Sequence, residues 1–137
     1  MVVIMECIER SRGIYEQAVS EHKPAATVVM LSGGDDSLTT LFLAMELGIK
    51  IDLIVNGNTG TGLPEATEFV RMVAKSTGIK YAEADAKDTF DKYVMRKGFI
   101  GRGRQAHPIA YHLLKATGFR KAISRNLRKG KRNYKVL

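Results

Sequence analysis

The residues best suited to chemistry are Ser32-Gly33-Gly34-Asp35-Asp36-Ser37, set between an apolar run of strand length and an amphipathic stretch of helix length. At such a junction the first amides of the helix lack intrahelical acceptors and the positive end of the helix dipole reinforces them, so an anion is well held. Two glycines permit positive φ and a close approach of backbone to phosphate, and the Ser32 and Ser37 hydroxyls can each donate to a phosphate oxygen. Asp36 would repel a bare phosphate and suits a magnesium partner or a helix-capping acid. The turn is neither a Walker A loop, since it holds no lysine, nor Gly-x-Gly-x-x-Gly, since only Gly33 and Gly34 are present. A plain tight turn with Ser and Asp as ordinary caps is the alternative.

The flanking pattern predicts how these residues are positioned. A helix over about 4–20, interrupted by Gly13, gives way at His22-Lys23-Pro24 to the apolar run Ala26–Leu31, which reads as a buried parallel strand. Leu38, Leu41, Phe42 and Met45 form one helical stripe that Gly48 can end, and Ile49–Val55 reads as a second strand leading into the loop Asn56–Gly62. Pro64 suits a first helical position, with Ala66, Phe69, Val70, Val73 and Thr77 on one face until Gly78. A third strand spans Ile79–Ala84, then a short helix Asp88–Lys97 and a loop 98–104. Pro108 opens a last helical stretch, which Gly118 is expected to kink or divide, and Asn133–Leu137 begins a fourth strand. The β-α-β-α-β order predicts a three-layer α/β/α fold with a parallel sheet of three to five strands, because each right-handed crossover needs a helix.

With 137 residues and no repeat or low-complexity linker, the chain reads as one domain, 1–137. Its net charge of +8 is divided: residues 1–91 hold 8 basic and all 14 acidic side chains, and the segment 92–137 holds 14 basic and none acidic. That half can attract a polyanion, either a nucleotide's phosphates and sulfate or a nucleic acid backbone, or it can be a solvated basic face. No apolar window is long enough for a membrane span and the N-terminus is not leader-like, so a cytoplasmic location is expected. The single cysteine, Cys7, excludes an internal disulfide, a cysteine-built zinc site and an iron–sulfur cluster made by this chain alone, and it is expected to be a buried, inert thiol.

The other polar signals leave choices open. His107 and His112 are five apart, which does not fit an i, i+4 metal pair; His107 can donate to an oxyanion or simply start a helix. Gly101-Arg102-Gly103-Arg104 reads as a lid over an anion or as a surface loop. Arg128–Arg132 reads as a solvated tail or an RNA-attracting patch, with Tyr134 the one aromatic beside it.

Ser-Gly-Gly-x-Asp-Ser after a first strand resembles the pyrophosphate-binding loop of the adenine-nucleotide α-hydrolase-like (PP-loop) superfamily, which includes ATP pyrophosphatases and phosphoadenosine phosphosulfate (PAPS) reductases. The PAPS reductase-like branch matches furthest. It follows its second strand with Asp-Thr-Gly and a Pro-Glu-Thr helix, and here stand Asn58-Thr59-Gly60 and Pro64-Glu65-Ala66-Thr67. Its Leu-Lys-x-x-Pro-Leu-Arg-Arg segment is similar to Leu114-Lys115-Ala116-Thr117-Gly118-Phe119-Arg120-Lys121, so the resemblance covers about residues 26–123.

The resemblance implies a single PP-loop nucleotide-binding domain of HUP/Rossmann-like architecture, short at its C-terminal end. It implies that Ser32, Gly33, Gly34, Asp36 and Ser37 bind the phosphates of ATP or the sulfate end of PAPS, with Asp36 and Ser37 at the catalytic point and magnesium on Asp36. Asn58, Thr59 and Gly60 would line the same cleft, and backbone of Met30, Leu31 and Val55 would flank the adenine. Arg102, Arg104, His107 and Lys115 would close the anion site from the basic half, the arginines being suited to bidentate contacts.

Three departures modify the expectation. Asp35 replaces a frequent lysine, Asn58 replaces the usual aspartate, and no cysteine follows Cys7, so the thiol attacking a sulfonucleotide would be external. The branch continues into further strands and a Gly-x-Arg motif, so a minimal form, a fragment, or a homodimer or complementing chain at the sheet edge is expected. The functional expectation is an enzyme acting at the phosphate or sulfate end of an adenine nucleotide. The alternative is a nucleotide- or RNA-binding module that has lost the chemistry.

Overall fold

In a computed structural model the protein is described over residues 2–60 and 62–127. The proposed fourth strand, Asn133–Leu137, and the run Arg128–Arg132 lie outside the described residues. The elements follow in the order α1 (Val2–His22), β1 (Val28–Met30), α2 (Asp35–Glu46), β2 (Leu53–Asn58), α3 (Pro64–Thr77), β3 (Tyr81–Asp85), α4 (Lys87–Lys97), α5 (Ala106–Tyr111), a π-helical turn (His112–Ala116) and α6 (Thr117–Leu127). All three strands are parallel, in the order β1-β2-β3.

Alternation along each strand assigns its neighbours. Val29, Leu31 and Ile54 point to one face, where they pack with Leu41 of α2 and Val70, Val73 and Ala74 of α3. Leu53, Val55, Ala82 and Ala84 point to the other and meet Ala122, Phe119 and Ile123 of α6. The result is the three-layer α/β/α arrangement, with helices on opposite faces of a short parallel sheet. The strand order runs β1-β2-β3 without reversal, with α2 and α3 on one face and α6 on the other. The N-terminal helix is more loosely attached, through contacts such as the Tyr15 hydroxyl with Thr27 Oγ1 at 3.2 Å. Among the described residues no helix is long and apolar enough to cross a membrane.

Several expectations need correction. Cys7 is exposed, because α1 buries little of its surface and leaves Val3, Ile4 and Met5 in solvent beside it. The second strand starts at Leu53 and runs through Asn58: Ile49–Asp52 only leads in, tied by Asp52 to the Thr27 backbone. Asn56, Gly57 and Asn58, expected in the loop, instead pair in parallel register with Glu83, Ala84 and Asp85 of β3. The last helical stretch is not broken at Gly118; the irregularity is the π turn before it. Gly118 serves packing, since a Cβ there would stand 3.2 Å from the Ala84 Cβ.

The glycines of the β1–α2 turn differ in kind. Gly33 has φ +89° and a Cβ on it would meet Val70 Cγ2 at 2.9 Å, so both backbone and packing demand glycine. Gly34 is extended (φ −83°, ψ 159°), with Ser32 Oγ at 3.7 Å the one neighbour of an added Cβ. Gly33→Ala is therefore expected to lower stability by about 2 kcal/mol, and Gly34→Ala to stay within about 0.5 kcal/mol of the parent, in urea unfolding followed by circular dichroism.

Candidate functional site

A cleft of about 460 Å³ opens at the carboxyl ends of β1 and β2. Its floor is Met30, Leu31 and Ser32 from the first strand and its continuation, with Val55 to Thr59 from the second. Gly62 and Leu63, with Ala66 and Thr67 of the first turn of α3, contribute on one side, and Tyr111, Lys115 and Phe119 contribute from the π turn and its neighbours. The residues expected to flank an adenine, Met30, Leu31 and Val55, therefore lie on its wall.

The turn beginning at Ser32 is closed by its own serines. Ser37 Oγ accepts the Ser32 N–H at 3.2 Å and the Ser32 hydroxyl at 3.0 Å, and donates to the Gly34 carbonyl at 2.9 Å. Ser32 Oγ in turn accepts the Gly34 N–H at 3.4 Å. Both hydroxyl protons are thus spent within the turn, where an oxyanion contact was expected. The amides of Gly33, Asp35, Asp36 and Ser37 take no acceptor among the described residues, as the first amides of a helix require. Asp35 and Asp36 are exposed in the first turn of α2, where carboxylates complement the helix dipole. Among the described residues no group of three metal-ligating side chains converges.

Asn58 is turned to a different task. Its Nδ2 donates to Glu83 Oε1 at 2.8 Å, and its Oδ1 accepts the Gly60 N–H at 3.0 Å, fixing the bend at 58–60. Glu83 also receives Arg71 at both oxygens, each at 2.9 Å, and the Tyr81 hydroxyl at 3.2 Å; Arg71 reaches Glu68 as well. The Arg71 hydrogen bond, aided by Asn58, holds the Glu83 carboxyl below its usual range, and burial with the nearby Glu83 charge pushes the Tyr81 phenol up to about 12. A neutral amide suits this place, because a carboxylate at position 58 would face Glu83 with no proton between them.

Of the cationic residues among those described, only Lys115 reaches the wall of the cleft; it sits in the π turn, a feature frequent at functional sites. Arg102 and Arg104 are exposed in the loop before α5, and His107 is exposed at the second position of that helix; none of the three lines the cleft. Thr59 lines it, and Gly60 follows at the bend. Sequence reasoning missed Asn56, which is 5% exposed, lines the cleft, and donates from Nδ2 to the Leu31 carbonyl at 2.7 Å. Its place directly after the apolar run that ends at Val55 was its one signal. No known family model matches the chain, and no curated protein aligns with it significantly.

Asn58→Asp tests the polar cluster. Two carboxylates in that contact raise the pKa of one, so the penalty is absent while the pair holds a proton and grows as pH rises through that value. The depressed Glu83 of the parent works in the other direction: its stabilisation is complete above 4.5 and fades as pH falls below it. The variant is expected to be less stable than the parent by about 1–2 kcal/mol at pH 7 and to converge with it near pH 4, in thermal unfolding across that range.

Proposed function

We propose that this chain is an adenine-nucleotide-binding domain of the PP-loop type, similar to the PAPS reductase-like branch, that acts at the phosphate or sulfate end of ATP or a sulfonucleotide. What supports the reading is one juxtaposition: the uncommitted amides of Gly33 and of the first three residues of α2 follow Ser32, which is itself a wall of the cleft. The base and ribose would occupy the cleft over Leu31 and Val55, and the anionic end would extend to the Gly33–Ser37 amides. Lys115 would supply charge from the opposite side.

In this arrangement the serines are positioning residues. Their mutual hydrogen bonds hold the amides in one geometry before any ligand arrives, the kind of preorganisation that stabilises a developing oxyanion without rearrangement. With ATP, an acceptor nucleophile would bond to the α-phosphorus while the bond to the bridging oxygen breaks and pyrophosphate leaves on the amides. With a sulfonucleotide, an external thiol would lose its proton and attack the sulfur as the bond from sulfur to the bridging oxygen breaks, giving a thiosulfonate on that thiol and releasing the nucleotide with its phosphate. A magnesium ion takes one or two carboxylates beside phosphate oxygens, so Asp36 fits an ion carried by the nucleotide rather than a site built by protein alone.

Calorimetry of ATP, AMP, phosphoadenosine phosphate and PAPS, with and without magnesium, is expected to show binding of at least one. Gly34→Val, on extended backbone where an added Cβ meets only Ser32 Oγ at 3.7 Å, is expected to abolish that binding while the circular dichroism stays that of the parent. Affinity retained in a folded Gly34→Val protein would remove the turn as the anion site. Lys115→Gln is expected to weaken the bound nucleotide about tenfold, with a smaller salt dependence than the parent.

A further inference from the structure

Asn56 Oδ1 is the one buried side-chain nitrogen or oxygen without a hydrogen-bond partner among the described residues. Its amide cannot simply be turned over, because Nδ2 already donates to the Leu31 carbonyl and the reverse orientation would set oxygen against oxygen. The preceding positions of β2, Leu53, Ile54 and Val55, are fully buried and apolar, so an apolar residue at 56 would continue the strand without an orphaned acceptor. The bond to Leu31 accounts for the nitrogen end of the side chain only. Asn56 belongs to the wall of the cleft, so a molecule bound there lies beside the residue whose oxygen end is left over.

We propose that Asn56 is the specificity-determining residue of the cleft, its Oδ1 accepting a hydrogen bond from an N–H or O–H of the bound nucleotide. This rests on the nucleotide reading above and narrows it. An ionised phosphate or sulfate offers acceptors alone, so it cannot satisfy Oδ1; the donor belongs to the base or the sugar. Two groups of an adenine nucleotide qualify, the exocyclic amine of the base and a ribose hydroxyl. The same side chain, through Leu31, braces the residue that immediately precedes the anion-binding turn, so recognition of the nucleoside and the placing of the turn share one residue.

The test titrates the parent and Asn56→Leu with ATP, with ITP, which carries a carbonyl where ATP carries the amine, and with 2′-deoxy-ATP and 3′-deoxy-ATP. The parent is expected to bind ATP about tenfold more tightly than the analogue lacking the donor: ITP if the amine is read, a deoxy form if a hydroxyl is. Asn56→Leu is expected to bring that ratio close to one. A uniform loss with the ratio kept, or equal affinities in the parent, overturns the inference and leaves the nucleotide reading standing. Failure of the parent to bind any of these or PAPS overturns both. A measurement on the parent alone guards against a variant that does not fold: the Asn56 side-chain ¹⁵N–¹H signals are expected to shift on saturation with ATP or PAPS, and a bound nucleotide that leaves them in place overturns the inference.

Discussion

The Ser37 hydroxyl makes three hydrogen bonds within six residues of chain, and the usefulness of the cleft depends on them. It joins the last residue of the turn to the amide and hydroxyl of the first and to the carbonyl between. A turn with a left-handed Gly33 and an extended Gly34 has many alternative paths in isolation; closing it through one side chain selects the path on which the following amides converge. Val70 of α3 fills the space beside Gly33, so the same geometry is enforced from outside by packing. The turn is thus held both by its own polar atoms and by the hydrophobic layer on which it sits.

Electrostatics favour this end of the molecule less simply than a net charge of +8 implies. The turn itself carries Asp35 and Asp36, and the cationic half of the chain delivers Lys115, but not Arg102, Arg104 or His107, to the cleft. On the proposed reading, attraction for an anion would rest on backbone dipoles at short range, with one ammonium beside them among the described residues. Such a site would be selective by geometry: amide donors act within hydrogen-bond distance, whereas the remote arginines would contribute only a screened field.

The parts of this design that depend on local chemistry were legible in the residues themselves. Pro64 and Gly78 delimit α3, and the pair Gly33-Gly34 between an apolar run and an amphipathic stretch marked the turn. What could not be read were the effects of partners distant in sequence. Asn56, Gly57 and Asn58 look like loop until β3 pairs with them, and Gly118 looks like a helix breaker until Ala84 is placed against it. Cys7 looks buried because its neighbours are apolar, yet burial belongs to the surface a helix meets, and α1 meets little. The serine hydroxyls were assigned to an anion because their type allows it; that they satisfy each other first follows only from the turn's closure.

The two asparagines of β2 bring these strands of argument together. They lie two residues apart, and hence on one face of the strand, but their side chains are used differently. Asn58 is satisfied at both ends, by Glu83 and the Gly60 amide, and its neutrality is what permits the contact with a carboxylate. Asn56 is satisfied at one end and buried at the other. A fully engaged amide fixes shape, whereas a half-engaged one in the wall of a cleft is useful when something else completes it. That asymmetry, rather than the amide type the two share, separates the residue that shapes the bend from the residue proposed to read a ligand.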